Sequence, residues 1–166
     1  MIHVPAPDPF TVFGLPKGLD LDARALERRY LELSRDCHPD HNRAANAADC
    51  AAVLLRAAEI NDAWKVLRDP WRRARALIQA RDDAALARNQ KLPPTFLADA
   101  LELAEEVAFA RGDQIEPLRE RLRSALSADW EALRAALAAD DLDAAARTVH
   151  QSHYHHKALA DLEQKQ

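Results

Sequence analysis

Apolar residues return along this chain at helical intervals, and polar residues punctuate the intervals. Leu26, Tyr30, Leu33 and Cys37 are spaced i, i+4, i+7, i+11, the stripe of one helix face. Val53, Ala57, Ile60, Trp64 and Leu67 make a second stripe, and Leu118, Leu122, Leu126, Leu133 and Leu137 a third. Leu142, Ala146 and Val149 begin a fourth. The helix boundaries are legible as well. Asp8-Pro9 is a cap followed by proline at the first helical position, and Gly14 with Pro16 stops a short helix carrying Phe10 and Phe13. Asp20 or Asp22 caps the next helix, which Pro39 ends near Cys37. Asn46 with Asp49 resembles a capping box for the third, and Asp69-Pro70 opens a fourth through Ile78.

The pattern then weakens. Residues 81–93 are polar and close on Pro93-Pro94, which reads as a linker. Three more helices follow: Thr95 to about Ala110, a second capped by Asp113 with Glu116 and running to about Ala139, and a third from Asp140-Asp141 onward. Short connections favour antiparallel neighbours, so residues 94–166 are expected to form a three-helix bundle. The fold class is therefore all-α, with a first helical unit over residues 1–80, a linker over 81–93 and the bundle after it.

Composition agrees with this reading. The chain has 166 residues, of which only 3 are glycine and 5% aromatic, against a β-sandwich or barrel. The net charge of −4 gives no broad nucleic-acid footprint, and neither a Rossmann-type glycine loop nor a P-loop is present. No apolar run approaches a membrane span, and the first residues lack the form of a secretory signal, so a cytoplasmic location is expected. Cys37 and Cys50 are too few for a disulfide framework; two reduced thiols are expected, the alternative being one disulfide across the loop between them. Charge is unevenly divided. Residues 1–80 hold 12 basic against 11 acidic groups, and residues 81–166 hold 11 against 16.

One tripeptide changes the picture. His38-Pro39-Asp40 falls in the polar loop between the second and third helices. Alone it would arise by chance in a chain of this size at a rate of about one percent. Its setting is more specific: a short helix with Phe10 and Phe13, then a helix with Arg24, Arg28 and Arg35 outward and Arg29 beside them, then the motif, then a longer apolar-striped helix. Residues 8–78 in this order resemble a J-domain, the module that activates ATPase chaperones of the heat-shock-70 class. The resemblance implies that His38, Pro39 and Asp40 meet the chaperone's nucleotide-binding domain, and that Arg28, Arg29 and Arg35 dock on an acidic chaperone surface. The chemistry is consistent, because Asp40 can form a charge-assisted contact and the arginines can steer encounter. His41 stands where many J-domains carry lysine, which removes a fixed charge at pH 7. A short loop beside a proline supplies neither a substrate pocket nor a nucleophile, so the chain is not expected to be an enzyme.

The second half narrows the family. No glycine–phenylalanine segment and no repeated C-x-x-C-x-G-x-G module is present. The opening Asp8-Pro9-Phe10-Thr11-Val12-Phe13-Gly14-Leu15-Pro16, the segment Ile60 to Pro70, the segment Phe96 to Glu106 and the start of the last helix, Asp143 to Val149, are similar to the HscB family of iron–sulfur co-chaperones. That resemblance spans nearly the whole chain. It implies an HscA-type ATPase chaperone and an IscU-type cluster scaffold as partners, with no cofactor and no metal bound by the chain itself. The implied scaffold contacts are Leu97, Ala98, Leu101, Glu102, Glu105 and Tyr154. Leu97, Leu101 and Glu105 share one helix face, while Phe96, Ala100, Leu103 and Val107 form a neighbouring inward stripe. Leu97 and Leu101 are thus expected as an exposed apolar patch rimmed by acid; the alternative is that they join a wide core face. Ala98 is smaller than the family's usual residue, and Phe109 falls where an acidic contact is usual.

Two other readings stay open. One is a J-domain adaptor that serves a different client. His150, His153, His155 and His156 lie on the last helix, with i, i+3 pairs that could reach a metal, which would suit a metal- or pH-responsive protein. Surface histidines are the expectation. Trp64, Trp71 and Trp130 read as packing anchors.

Overall fold

The computed structural model describes residues 7–37 and 47–165. Every regular element among them is helical, and the chain divides into two units, Met1–Ala80 and Arg81–Gln166.

In the first unit α1 (Pro9–Phe13) begins where Asp8 accepts a hydrogen bond from the Phe10 N–H at 3.1 Å. It ends at Gly14, whose φ of 65° lies in the left-handed region that glycine enters without a Cβ clash. Five residues cannot persist as an isolated helix. What holds α1 is burial of Phe10 and Phe13, both fully inside, against α2 (Ala23–Asp36) and α3 (Ala47–Leu67). Burying each such ring stabilises by about 1.5–3 kcal/mol. Two guanidinium groups then take up carbonyls in and at the end of α1: Arg29 Nε donates to Phe13 O at 3.1 Å and Arg56 Nη2 to Val12 O at 3.3 Å.

Asp22, rather than Asp20, caps α2 by accepting from the Arg24 N–H at 2.9 Å. Leu26 and Leu33 of its stripe are buried, Tyr30 and Cys37 half-buried. On α3 the stripe buries Ile60 and Leu67, adds Ala63, and leaves Val53, Ala57 and Trp64 half-buried. Tyr30 and Trp64 stack across the two helices, centroids 4.7 Å apart, and the Tyr30 hydroxyl donates to Asn61 at 2.9 Å. The box proposed for Asn46 lies outside the described residues. Asp69 caps α4 (Pro70–Arg81), accepting from the Trp71 and Arg72 N–H groups at 2.9 Å each. Ala74, Leu77 and Ile78 are its buried side chains besides Arg73. Cys37 and Cys50 are free thiols, the first half-buried and the second exposed.

In the second unit, α5 (Ala85–Arg88), α6 (Pro94–Phe109) and α7 (Ile115–Ala138) all pack against α8 (Leu142–Glu163). The connection between α7 and α8 turns at Asp140, with φ of 56°, and Asp141 then caps α8 by accepting from the Ala144 N–H at 2.8 Å. Aspartate is among the few side chains that tolerate the left-handed region. Val107 and Ala110 from the α6 end, Leu118 and Leu122 from α7, and Ala158 and Leu162 from α8 form one core cluster.

Two expectations are corrected. Residues 81–93 are not merely a connecting stretch. They contain α5 and bury Ala85, Leu86 and Leu92, three apolar side chains too few for a visible period. Arg88 bonds both Asp82 and Asp143, Asn89 bonds Asp143 at 2.6 Å, and Arg147 bonds Asn89 at 3.0 Å, which pins the segment to α8. Asp113 and Glu116 do not form a capping pair either. A 3-10 turn, Gly112–Gln114, precedes α7, and the Gln114 side chain accepts from the Arg111 N–H at 3.1 Å. Glu116 pairs instead with Arg119.

Candidate docking surfaces

His38, Pro39 and Asp40, with His41, lie outside the described residues. The helix before them carries the basic face. Arg24, Arg28 and Arg35 are exposed on α2 at i, i+4, i+11. Arg29 is half-buried and differently employed: besides its bond to Phe13 O it pairs with Glu32 at 3.2 Å. Its charge is partly committed within the unit, so Arg28 and Arg35 are the freer members of the set. Between them Leu31 is 50% exposed, an apolar residue inside a basic face that the periodicity had not singled out. On α3, Leu54 and Leu55 are more exposed still, at 70% and 64%. They lie off the buried stripe, which is the only sequence signal that could have marked them.

The second surface is built by α6 and α8. Pro93-Pro94 sets the start of α6, and Val107 is buried while Phe96, Ala100 and Leu103 are half-buried, so the expected inward stripe is the one that packs. Leu97 and Leu101 turn outward, 41% and 63% exposed, with Ala98, Glu102 and Glu105 exposed beside them. The core-face alternative is thereby excluded for both leucines. Tyr154 reaches this region from α8: its ring meets Phe96 edge-on, centroids 5.6 Å apart at 82°, and the residue stays 37% exposed. Residues separated by more than fifty positions are thus brought to one corner. At the far end of α6, Phe109 is 77% exposed. Glu106 pairs with Arg121 of α7, which leaves Glu102 and Glu105 as the acid rim nearest the leucines.

The histidines of α8 have separate employments. His150 Nε2 lies 2.8 Å from Leu86 O, and His155 Nδ1 lies 2.6 Å from Asp129 Oδ2. His153 sets its ring edge-on to Tyr154. Among the described residues, no group of three or more His, Cys, Asp or Glu side chains converges on a metal position. An electrostatic cluster holds α5. Hydrogen bonds from Arg88 keep both the Asp82 and the Asp143 carboxyls below the ordinary aspartate range, with backbone Ala84 assisting the first and Asn89 the second. Among the described residues no helix is long and apolar enough to cross a membrane.

Both surfaces have relatives. The DnaJ domain model matches residues 8–76, which makes the first unit a J-domain and the chain a J-domain protein. The model of the HSCB C-terminal oligomerisation domain matches residues 92–163. A co-chaperone protein HscB homolog of Bordetella avium (strain 197N) is 36% identical over 135 residues, which cover 81% of this chain and 77% of that protein. Chaperone HscB from Vibrio cholerae superposes with a TM-score of 0.81 at 27% identity, covering 95% of this chain and 96% of that one. Human co-chaperone protein HscB shares the fold, with a TM-score of 0.82 at 19% identity over 98% of this chain and 83% of that one. The chain belongs to the HscB family of co-chaperones.

Proposed function

We propose that this protein stimulates the ATPase of an HscA-type chaperone of the heat-shock-70 class and delivers an IscU-type iron–sulfur scaffold to it, promoting cluster transfer in the cytoplasm. The ATP hydrolysis is the partner's. His38, Pro39 and Asp40 act on the chaperone, with Arg28 and Arg35 steering the encounter and Arg29 contributing what its internal bonds leave free. Leu97, Ala98, Leu101, Glu102, Glu105 and Tyr154 receive the scaffold.

The observation that carries the client assignment is the exposure of Leu97 and Leu101 on a helix whose other apolar stripe is packed. Large side chains left outside a satisfied core favour a partner that will cover them. The acid rim supplies orientation and encounter rate more than affinity. Titration calorimetry with an apo IscU-type scaffold tests this: saturable one-to-one binding is expected, and Leu97→Ala/Leu101→Ala weakens it while the bundle stays folded. In a steady-state ATPase assay, His38→Gln loses stimulation and keeps scaffold binding. Unchanged stimulation in that variant would remove the motif from the mechanism.

A further inference from the structure

Phe96, the inward neighbour of exposed Leu97, is met by two successive rings of α8. Tyr154 approaches it at 5.6 Å and His155 at 6.3 Å, both edge-on. His155 also reaches α7, where its Nδ1 is 2.6 Å from Asp129 Oδ2, and the two side chains are only 20% and 16% exposed. A continuous set of contacts therefore runs from Asp129 through His155 and Phe96 to Tyr154, tying α7, α8 and α6 at one corner. Filling that corner would require only an apolar side chain at position 155. The polar pair adds direction, because a carboxylate accepting from Nδ1–H fixes the tautomer and the plane of the ring.

We propose that His155 and Asp129 are a positioning pair for the scaffold-docking face. They hold the imidazole as a wall for Phe96, and through Phe96 they hold Tyr154 and the first turn of α6 in the arrangement that the partner binds. The inference rests on the client reading of this face. A face already ordered in the free protein loses less side-chain freedom when a partner docks, so affinity records the presence of the pair.

The test uses the full chain titrated with an apo IscU-type scaffold, at a temperature where circular dichroism finds every variant folded. Asp129→Ala and His155→Leu are each expected to weaken binding about tenfold. Asp129→Asn still offers an acceptor oxygen to the imidazole Nδ1–H and leaves the ring in place, so it retains most of the affinity. Val149→Ala, a core truncation elsewhere on α8, lowers Tm and leaves affinity unchanged. Wild-type affinity in Asp129→Ala and His155→Leu, with Leu101→Ala still weakened, would overturn the positioning role and leave the client reading standing. An equal loss in Val149→Ala would reduce the pair to general stability and overturn it too. Absence of saturable binding by the wild type would remove the client reading, and the positioning role with it.

Discussion

The J-domain and the C-terminal unit are both helical, yet they are held by different means. In the first, a five-residue helix is fastened by a cap at one end and by two arginine bonds to its carbonyls, while its rings fill the space between α2 and α3. In the second, long helices meet through leucines of α7 and small residues of α8, among them Ala145, Ala146 and Ala158, which permit close approach. The exposed chemistry differs in the same sense. Both units expose leucines, but Leu31 of the first lies among the arginines of α2, whereas Leu97 and Leu101 of the second have Glu102 and Glu105 beside them. Where a charged side chain also bonds the backbone of its own unit, charge has a double duty, as Arg29 illustrates. Where apolar packing does the holding, a leucine left outside is the informative residue.

Four substitutions sharpen this contrast. The largest effect is expected from Leu122→Ala, which opens a cavity in the α6–α7–α8 core and lowers stability by about 2–5 kcal/mol in chemical denaturation. Leu101→Ala, the same chemical change on the exposed face, shifts stability by less than about 0.5 kcal/mol. Similar losses at the two positions would contradict the division between core and docking stripe. A smaller effect follows from Asp8→Ala. It removes the α1 cap and the ion pair with Lys17, and lowers stability by about 1 kcal/mol. The subtlest is in acid. The Asp143 carboxyl is held below its ordinary value of 3.8, chiefly by Arg88 and then by Asn89, so its contribution is complete above that pH and is lost as pH falls through the folded-state value. Asp143→Asn is expected to make the decline in stability below pH 3.8 shallower, measured by thermal melts across the acid range. An unchanged decline would detach this cluster from the stability of the unit.

The elements most legible in the sequence were those marked twice, by a cap and by a stripe. Asp8-Pro9 with Phe10 and Phe13, and Asp141 with Ala146 and Val149, both combine a local polar signal with a periodic apolar one. The packed character of residues 81–93 was not legible because its anchors are distant: Arg88 and Asn89 find Asp143 more than fifty residues later. Before α7, Asp113 suited the cap by type, but no side chain caps α7; Gln114 instead bonds the Arg111 N–H at the head of the 3-10 turn. On α6, spacing separated two apolar stripes and favoured the correct one as inward. Contact with α8 was needed to show that the other stays open. The His155–Asp129 pair joins two helices across 26 positions with no periodic signature, so nothing in the sequence joined them.

The central place of α8 in its unit has a consequence for the order of synthesis. Chains emerge from the ribosome with the N-terminal end first, and domains close as units once their parts are available. The contacts among α1, α2 and α3 become available once α3 has emerged. By contrast α5, α6 and α7 all rest on the last helix described, so they wait, with Leu118, Leu122 and Leu133 uncovered, until α8 arrives. The nascent protein thus passes through a stage in which α1, α2 and α3 can pack together while the leucines of its second half are still uncovered.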